Sequence, residues 1–162
     1  MQNSKTCSHG ALQAVPGRKQ WSLFAGCTAN PSLLTLVTEL RRSLAGCRTV
    51  LDVGCGHLSP LRFLSHARLT GLDAYEPALE EARKNGTHDE FILGDVTHLK
   101  EVLPGRHFDA CVALDVIEHL RKEQGQAMVQ AMEGIAARAV VIFTPNGFIP
   151  QRSKEGDLQE HL

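Results

Sequence analysis

The sequence predicts an α/β domain: a doubly wound, mostly parallel sheet with helices on both faces. Two observations carry this. Short apolar runs alternate with helical patterns five times between residues 48 and 143, which is how βαβ units read. The runs are apolar throughout, as strands buried on both faces must be. A third observation locates a site. VLDVGCG at 50–56 ends the first run on an aspartate and a Gly-Cys-Gly turn, and a buried strand needs neither.

In chain order, residues 1–20 are polar and contain Pro16-Gly17. They are expected to form a mobile N-terminal segment. The domain is expected over 21–150, beginning with Trp21 and Phe24. Asn30-Pro31-Ser32 is a helix-start signal, and Leu33, Leu34, Val37, Leu40 and Leu44 follow at helical spacing up to Gly46. Residues 48–53 form the first strand, followed by the glycine turn and a helix over 60–66. Residues 68–73 form the second strand. The helix 76–85, rich in Glu and Ala, stops at Gly86. Residues 90–93 form the third strand, and a short helical piece over 99–103 ends at Pro104-Gly105. Residues 108–114 form the fourth strand, 122–138 a helix and 139–143 the fifth strand. Pro145-Asn146-Gly147 reads as a turn, Phe148 as a pocket cap, and 151–162 as a polar tail. Right-handed crossovers wind these strands into one sheet.

Composition narrows the partners. The 162 residues are 43% hydrophobic and 22% charged, with net charge −1, the profile of an ordinary globular domain. There is no basic excess of the kind nucleic-acid binding needs. Cys7, Cys27, Cys47, Cys55 and Cys111 are odd in number and form no C-x-x-C. They read as reduced thiols in the cytoplasm. The eight histidines stand singly, and no metal site is expected. No apolar stretch is long enough to span a bilayer and no signal peptide is visible, so no membrane role is expected.

Ligands of open parallel sheets bind beyond the carboxyl ends of the strands. Asp52 with Val53-Gly54-Cys55-Gly56, then Asp73, Asp95 and Asp115 fall at four successive strand ends. Gly54 and Gly56 let a ligand touch the backbone. Asp73 follows the turn at roughly the 20-residue spacing of a ribose-binding acid. Asp95 suits an exocyclic adenine amine, and the Val96 N–H a ring nitrogen. Each aspartate alone also reads as a helix cap, but four in register describe an adenosine site. The turn lacks the last glycine of an NAD fingerprint, and no Walker lysine is present for ATP.

VLDVGCG, GLDAYEP, FILGDV, FDACVALDVIEHL and VVIFTPNG, in that order over about 48–148, resemble the motifs of class I S-adenosylmethionine-dependent methyltransferases. The likeness is to the small methyltransferase-domain group with a Glu-His pair after the fourth strand. The resemblance implies a Rossmann-like fold and S-adenosylmethionine (SAM) as cofactor. It implies that Gly54, Cys55 and Gly56 lie along the methionine part, on a loop that Asp52 orders through backbone hydrogen bonds. It puts Asp73 and Ala74 at the ribose, Asp95 and Val96 at the adenine, and Leu114 and Asp115 where donor and acceptor meet. Asp115 and His119 are the candidate bases, and Glu118 a loop anchor.

Two departures from the family pattern stand out. Leu58 occupies the place of a further glycine, beside Ser59, a candidate donor to the cofactor carboxylate. The family sheet ends in an antiparallel hairpin after strand five, for which about 20 residues leave no room. The hairpin is therefore expected to be missing and strand five to be an open edge for an oligomeric or other partner chain. The leading expectation is methyl transfer to a small or unidentified acceptor. The alternative is a truncated, non-enzymatic cofactor-binding or assembly subunit.

Overall fold

The computed structural model describes residues 20–25 and 33–144. Within them lie β1 (Gln20–Ala25), α1 (Leu33–Ser43), β2 (Thr49–Val53), β3 (Arg68–Asp73), α2 (Glu76–Asn85), β4 (Glu90–Leu93), α3 (Leu99–Val102), β5 (Phe108–Leu114), α4 (Lys122–Ile135) and β6 (Ala136–Thr144). The six strands make one sheet in the order β1-β6-β5-β2-β3-β4, and every pairing is parallel.

Strand residues alternate between two cores, as the period of two requires. Leu51 and Val53 of β2, Cys111 and Ala113 of β5, and Val140 and Ile142 of β6 face a layer closed by α3 and α4, with Leu99, Met128 and Met132 fully buried. Val50, Ala110, Val112, Ala139 and Val141 face the other layer, closed by Leu40 and Leu44 and by Leu61 and Leu64. Burying one such leucine stabilises the fold by about 1.5–3 kcal/mol, so both faces contribute. Every strand between the edges is thus covered on both sides.

Several expectations are corrected. The fifth strand of the sequence reading, here β6, is not an open edge awaiting another chain: β1 pairs along it from Gln20↔Ala139 to Ala25↔Thr144. The last helix ends at Ile135 rather than 138, because Ala136 already pairs with Phe108 of β5. The helix expected over 60–66 is a single 3-10 turn, Pro60–Phe63. It opens under a Ser59 cap and stops where Leu64 leaves helical geometry (φ −96°, ψ 81°) to bury its side chain. The strand assignments for 68–73, 90–93 and 108–114 agree with the structure, as does Gly86, left-handed at φ 60°, ending α2. The helix-start signal at 30–32, the turn at 145–147, Phe148, residues 1–19 and the tail 151–162 lie outside the described residues.

Candidate functional site

Strand order reverses between β2 and β5: β3 and β4 extend the sheet to one side of β2, while β5 and β6 lie on the other. The glycine turn leaves β2 and the Asp115 turn leaves β5 at this switch point, where open α/β sheets hold their ligands.

The glycine turn is pinned by its neighbours. Gly54 and Gly56 both have positive φ, 71° and 56°, which only glycine adopts cheaply. The Gly54 and Cys55 N–H groups donate to the Leu72 carbonyl at 2.7 and 3.0 Å. The Gly56 N–H donates to Asp73 Oδ2 at 2.8 Å. A Cβ on Gly56 would meet nothing within 4 Å, whereas one on Gly54 would meet Val116. Gly56 therefore presents the open backbone, and Gly54 is needed for packing. Leu58, where the resemblance wants glycine, is 52% exposed.

Asp73 holds more than the ribose role requires. Its Oδ1 accepts the Tyr75 N–H at 2.9 Å at the start of α2, while Oδ2 holds Gly56. A carboxylate oxygen has two acceptor positions, so each retains one beyond these bonds. Ala74 and Tyr75 beside it are exposed.

Asp52 differs from expectation. It is 1% exposed, and its carboxylate takes side-chain donors: Ser59 Oγ at 2.5 Å and His88 Nε2 at 3.0 Å. Ser59 is buried, caps the 3-10 turn and donates a hydrogen bond from its hydroxyl to Asp52. It is not directed at a ligand carboxylate. Cys55 also turns inward, with its thiol beside Gly71, where a Cβ would lie 2.8 Å from Sγ. Burial, then the Asp52 and Asp73 charges, push that thiol far above the ordinary range. Cys55 is therefore a protonated, inert thiol, and only its backbone borders the site.

Asp95 caps the turn Val96–His98, with Oδ1 accepting the Thr97 N–H at 2.8 Å and hydroxyl at 2.7 Å. Desolvation raises its pKa, but the Thr97 bonds and His98 outweigh that, so the carboxyl sits below its usual range. Oδ1 serves Thr97, and Oδ2 faces His98 Nδ1 at 3.6 Å. Val96 is half-buried against the core.

At the end of β5, half-buried Leu114 leads into Asp115, which is exposed with φ 54°. It is the one non-glycine residue among the described residues with positive φ, a strain that concentrates at functional turns. Its N–H donates to the Phe143 carbonyl at 3.0 Å. His119 closes the 3-10 turn Ile117–His119 and is half-buried. Glu118 Oε2 accepts the Thr144 hydroxyl at 3.3 Å, anchoring the turn to β6. Its Oε1 is buried without a hydrogen-bond partner.

The structure thus brings the glycine turn and Asp52, Asp73, Asp95 and Asp115 to one edge of the sheet. Sequence reasoning missed His88, Gly71 and the Ser59–Asp52 bond. Nothing in Thr87-His88-Asp89 read alone says that the ring faces β2. Among the described residues no group of three His, Cys, Asp or Glu side chains is arranged to hold a metal. A cavity of about 560 Å³ is lined by Ile117, Leu120, Gly125 and Val129 among others, and by none of the four aspartates.

Comparison with known proteins bears on this edge. A family model described as a methyltransferase domain matches residues 51–142. The ubiquinone biosynthesis O-methyltransferase of Bordetella parapertussis is 34% identical over 97 residues, covering 56% of this chain and 39% of that protein. Among solved structures, magnesium protoporphyrin IX methyltransferase from Synechocystis PCC 6803 with bound SAM has TM-score 0.56 and 25% identity, covering 68% of this chain and 56% of that one. The SAM-bound amino pentose methyltransferase of Micromonospora echinaspora has TM-score 0.59 and 25% identity, covering 77% of this chain and 53% of that one. The chain spans about two fifths of the length of the curated relative and about half that of these structural neighbours.

Proposed function

The chain belongs to the methyltransferase-domain family, and we propose on that footing that it binds S-adenosylmethionine along the carboxyl edge of its sheet and transfers the methyl group to a small-molecule acceptor. The observation that carries this reading is Asp73, which ties Gly56 of the glycine turn with one oxygen and keeps an acceptor position on each. A ribose diol bound there stands beside the methionine end of the cofactor, against Gly56. Adenine then lies toward Asp95 and Val96, and the sulfonium toward Leu114 and Asp115.

The sulfonium methyl is already activated. In transfer, a lone pair of the acceptor forms the new bond to the methyl carbon while the carbon–sulfur bond breaks, and S-adenosylhomocysteine leaves. The chain's task is alignment, which can supply much of the rate. The curated relative is named as an O-methyltransferase, which favours a hydroxyl acceptor. Such an acceptor must lose a proton, and Asp115 and His119 are the groups we assign to receive it. The buried thiols of Cys47, Cys55 and Cys111, in no disulfide among the described residues, favour the cytoplasm. No described helix is long and apolar enough to cross a membrane.

Calorimetric titration with S-adenosylhomocysteine, with Asp73→Ala as control, tests the reading. Saturable binding that the control loses is expected. A folded chain that ignores the ligand would overturn it. Binding without transfer to any hydroxylated acceptor would leave the non-enzymatic subunit.

A further inference from the structure

Beneath the glycine turn lies a polar cluster that methyl transfer itself does not use. The His88 side chain is fully buried, with Nε2 3.0 Å from Asp52 Oδ2 and Nδ1 2.9 Å from Thr87 Oγ1. Thr87 Oγ1 also lies 3.3 Å from the Ala82 carbonyl in the last turn of α2. Phe91 meets the imidazole edge-on, with centroids 5.6 Å apart. Gly71 of β3 passes beside it: a Cβ there would stand 3.0 Å from Nδ1 and 2.8 Å from Cys55 Sγ.

We propose that His88 is a positioning residue for the cofactor, acting through Asp52 on the path of the glycine turn. The assignment rests on the cofactor reading above. A buried carboxylate needs donors around it. Ser59 supplies one from just beyond the turn, and so moves with the turn. His88 supplies the other from a different element, the approach to β4, and ties Asp52 to the body of the sheet. Asp52 accepts only, so Nε2 carries the proton. Thr87 fixes the ring's orientation from the opposite nitrogen. The turn residues Gly54, Cys55 and Gly56 then start from a fixed β2 end and are held on the far side by Leu72 and Asp73.

Two substitutions separate this role from packing. His88→Gln keeps an amide N–H near the Nε2 position; His88→Asn reaches only the Nδ1 position. Affinity for S-adenosylhomocysteine is expected to stay within about threefold of wild type for Gln and to fall about tenfold or more for Asn, since a hydrogen bond to a buried charge is lost. Equal affinities in the two variants would overturn the assignment. A wild-type chain that does not bind would instead sink the cofactor reading, and this assignment with it. Should His88→Asn not fold, the wild-type protein still answers. Its His88 Nε2–H resonance should shift when S-adenosylhomocysteine saturates the chain, together with the Gly56 amide. A Gly56 shift with an unmoved His88 signal would refute the coupling.

Discussion

Val116 fills the space left by the missing side chain of Gly54: a Cβ on Gly54 would stand 2.6 Å from Val116 Cγ2. The contact joins the turn after β2 to the turn after β5, across the point where strand order reverses. Gly54→Ala should therefore destabilise the chain by about 2–4 kcal/mol, left-handed strain adding to overpacking. Gly56→Ala has the strain but open space around it, so about 1 kcal/mol is expected. Urea midpoints of the two variants check the difference, and equal losses would contradict the Val116 contact.

Asp73→Asn replaces one acceptor with an amide. Oδ1 can still take the Tyr75 N–H, but the amide N–H group then faces the Gly56 N–H that Oδ2 now holds. The fold should survive while affinity for S-adenosylhomocysteine falls about tenfold or more. Calorimetry with a parallel melting curve measures both. Unchanged affinity would separate Asp73 from the ligand.

Glu90 and Arg106 form a bidentate pair at 2.7 and 2.8 Å across the opposite edge of the sheet. Hydrogen bonding from Arg106 lowers the Glu90 pKa against a smaller desolvation penalty. The folded pKa lies below the unfolded one. The pair's stabilisation is therefore complete above the ordinary carboxylate range and is lost as pH falls through it and below. The Glu90 side chain is 34% exposed, and solvent screening limits the contribution to under about 1 kcal/mol. Glu90→Gln should lower the urea midpoint at neutral pH by that small amount and converge with wild type at low pH, so that the acid-limb loss due to Glu90 disappears from a plot of midpoint against pH.

Cys55 should resist alkylation in the native chain at pH 8 and react fully once unfolded. Its thiol is buried and held protonated, first by desolvation and then by Asp52 and Asp73. Cys47 is raised by burial too, with Arg138 pulling partly the other way. Peptide-resolved mass spectrometry after iodoacetamide reads both. Native labelling at Cys55 would mean that the glycine turn opens.

The site edge was legible because its signals are local. A strand that stops on aspartate, two glycines and an acid at the next strand end are read without knowing what pairs with what. β1 was not legible. Gln20-Trp21-Ser22-Leu23-Phe24-Ala25 has no long apolar run, and its strand character comes from β6, remote in sequence. The end of α4 failed for the same reason: Ala136 and Ala137 favour helix by propensity, but pairing with β5 wins at Ala136. Asp95 shows both readings at once, as a helix cap whose carboxylate still stands at the strand ends. His88 was invisible because a lone histidine states its neighbours only after folding.

β1 meets a partner about 120 residues later in the chain, so loop closure must precede any reward from that pairing. During synthesis β1 leaves the ribosome early and waits, unpaired, until β6 has emerged and docked on β5. Of the six described strands, the first in the sequence is therefore the last to pair. A premature stop before residue 136 would release a chain with an unmatched strand, the kind of species that chaperones retain and that self-association captures.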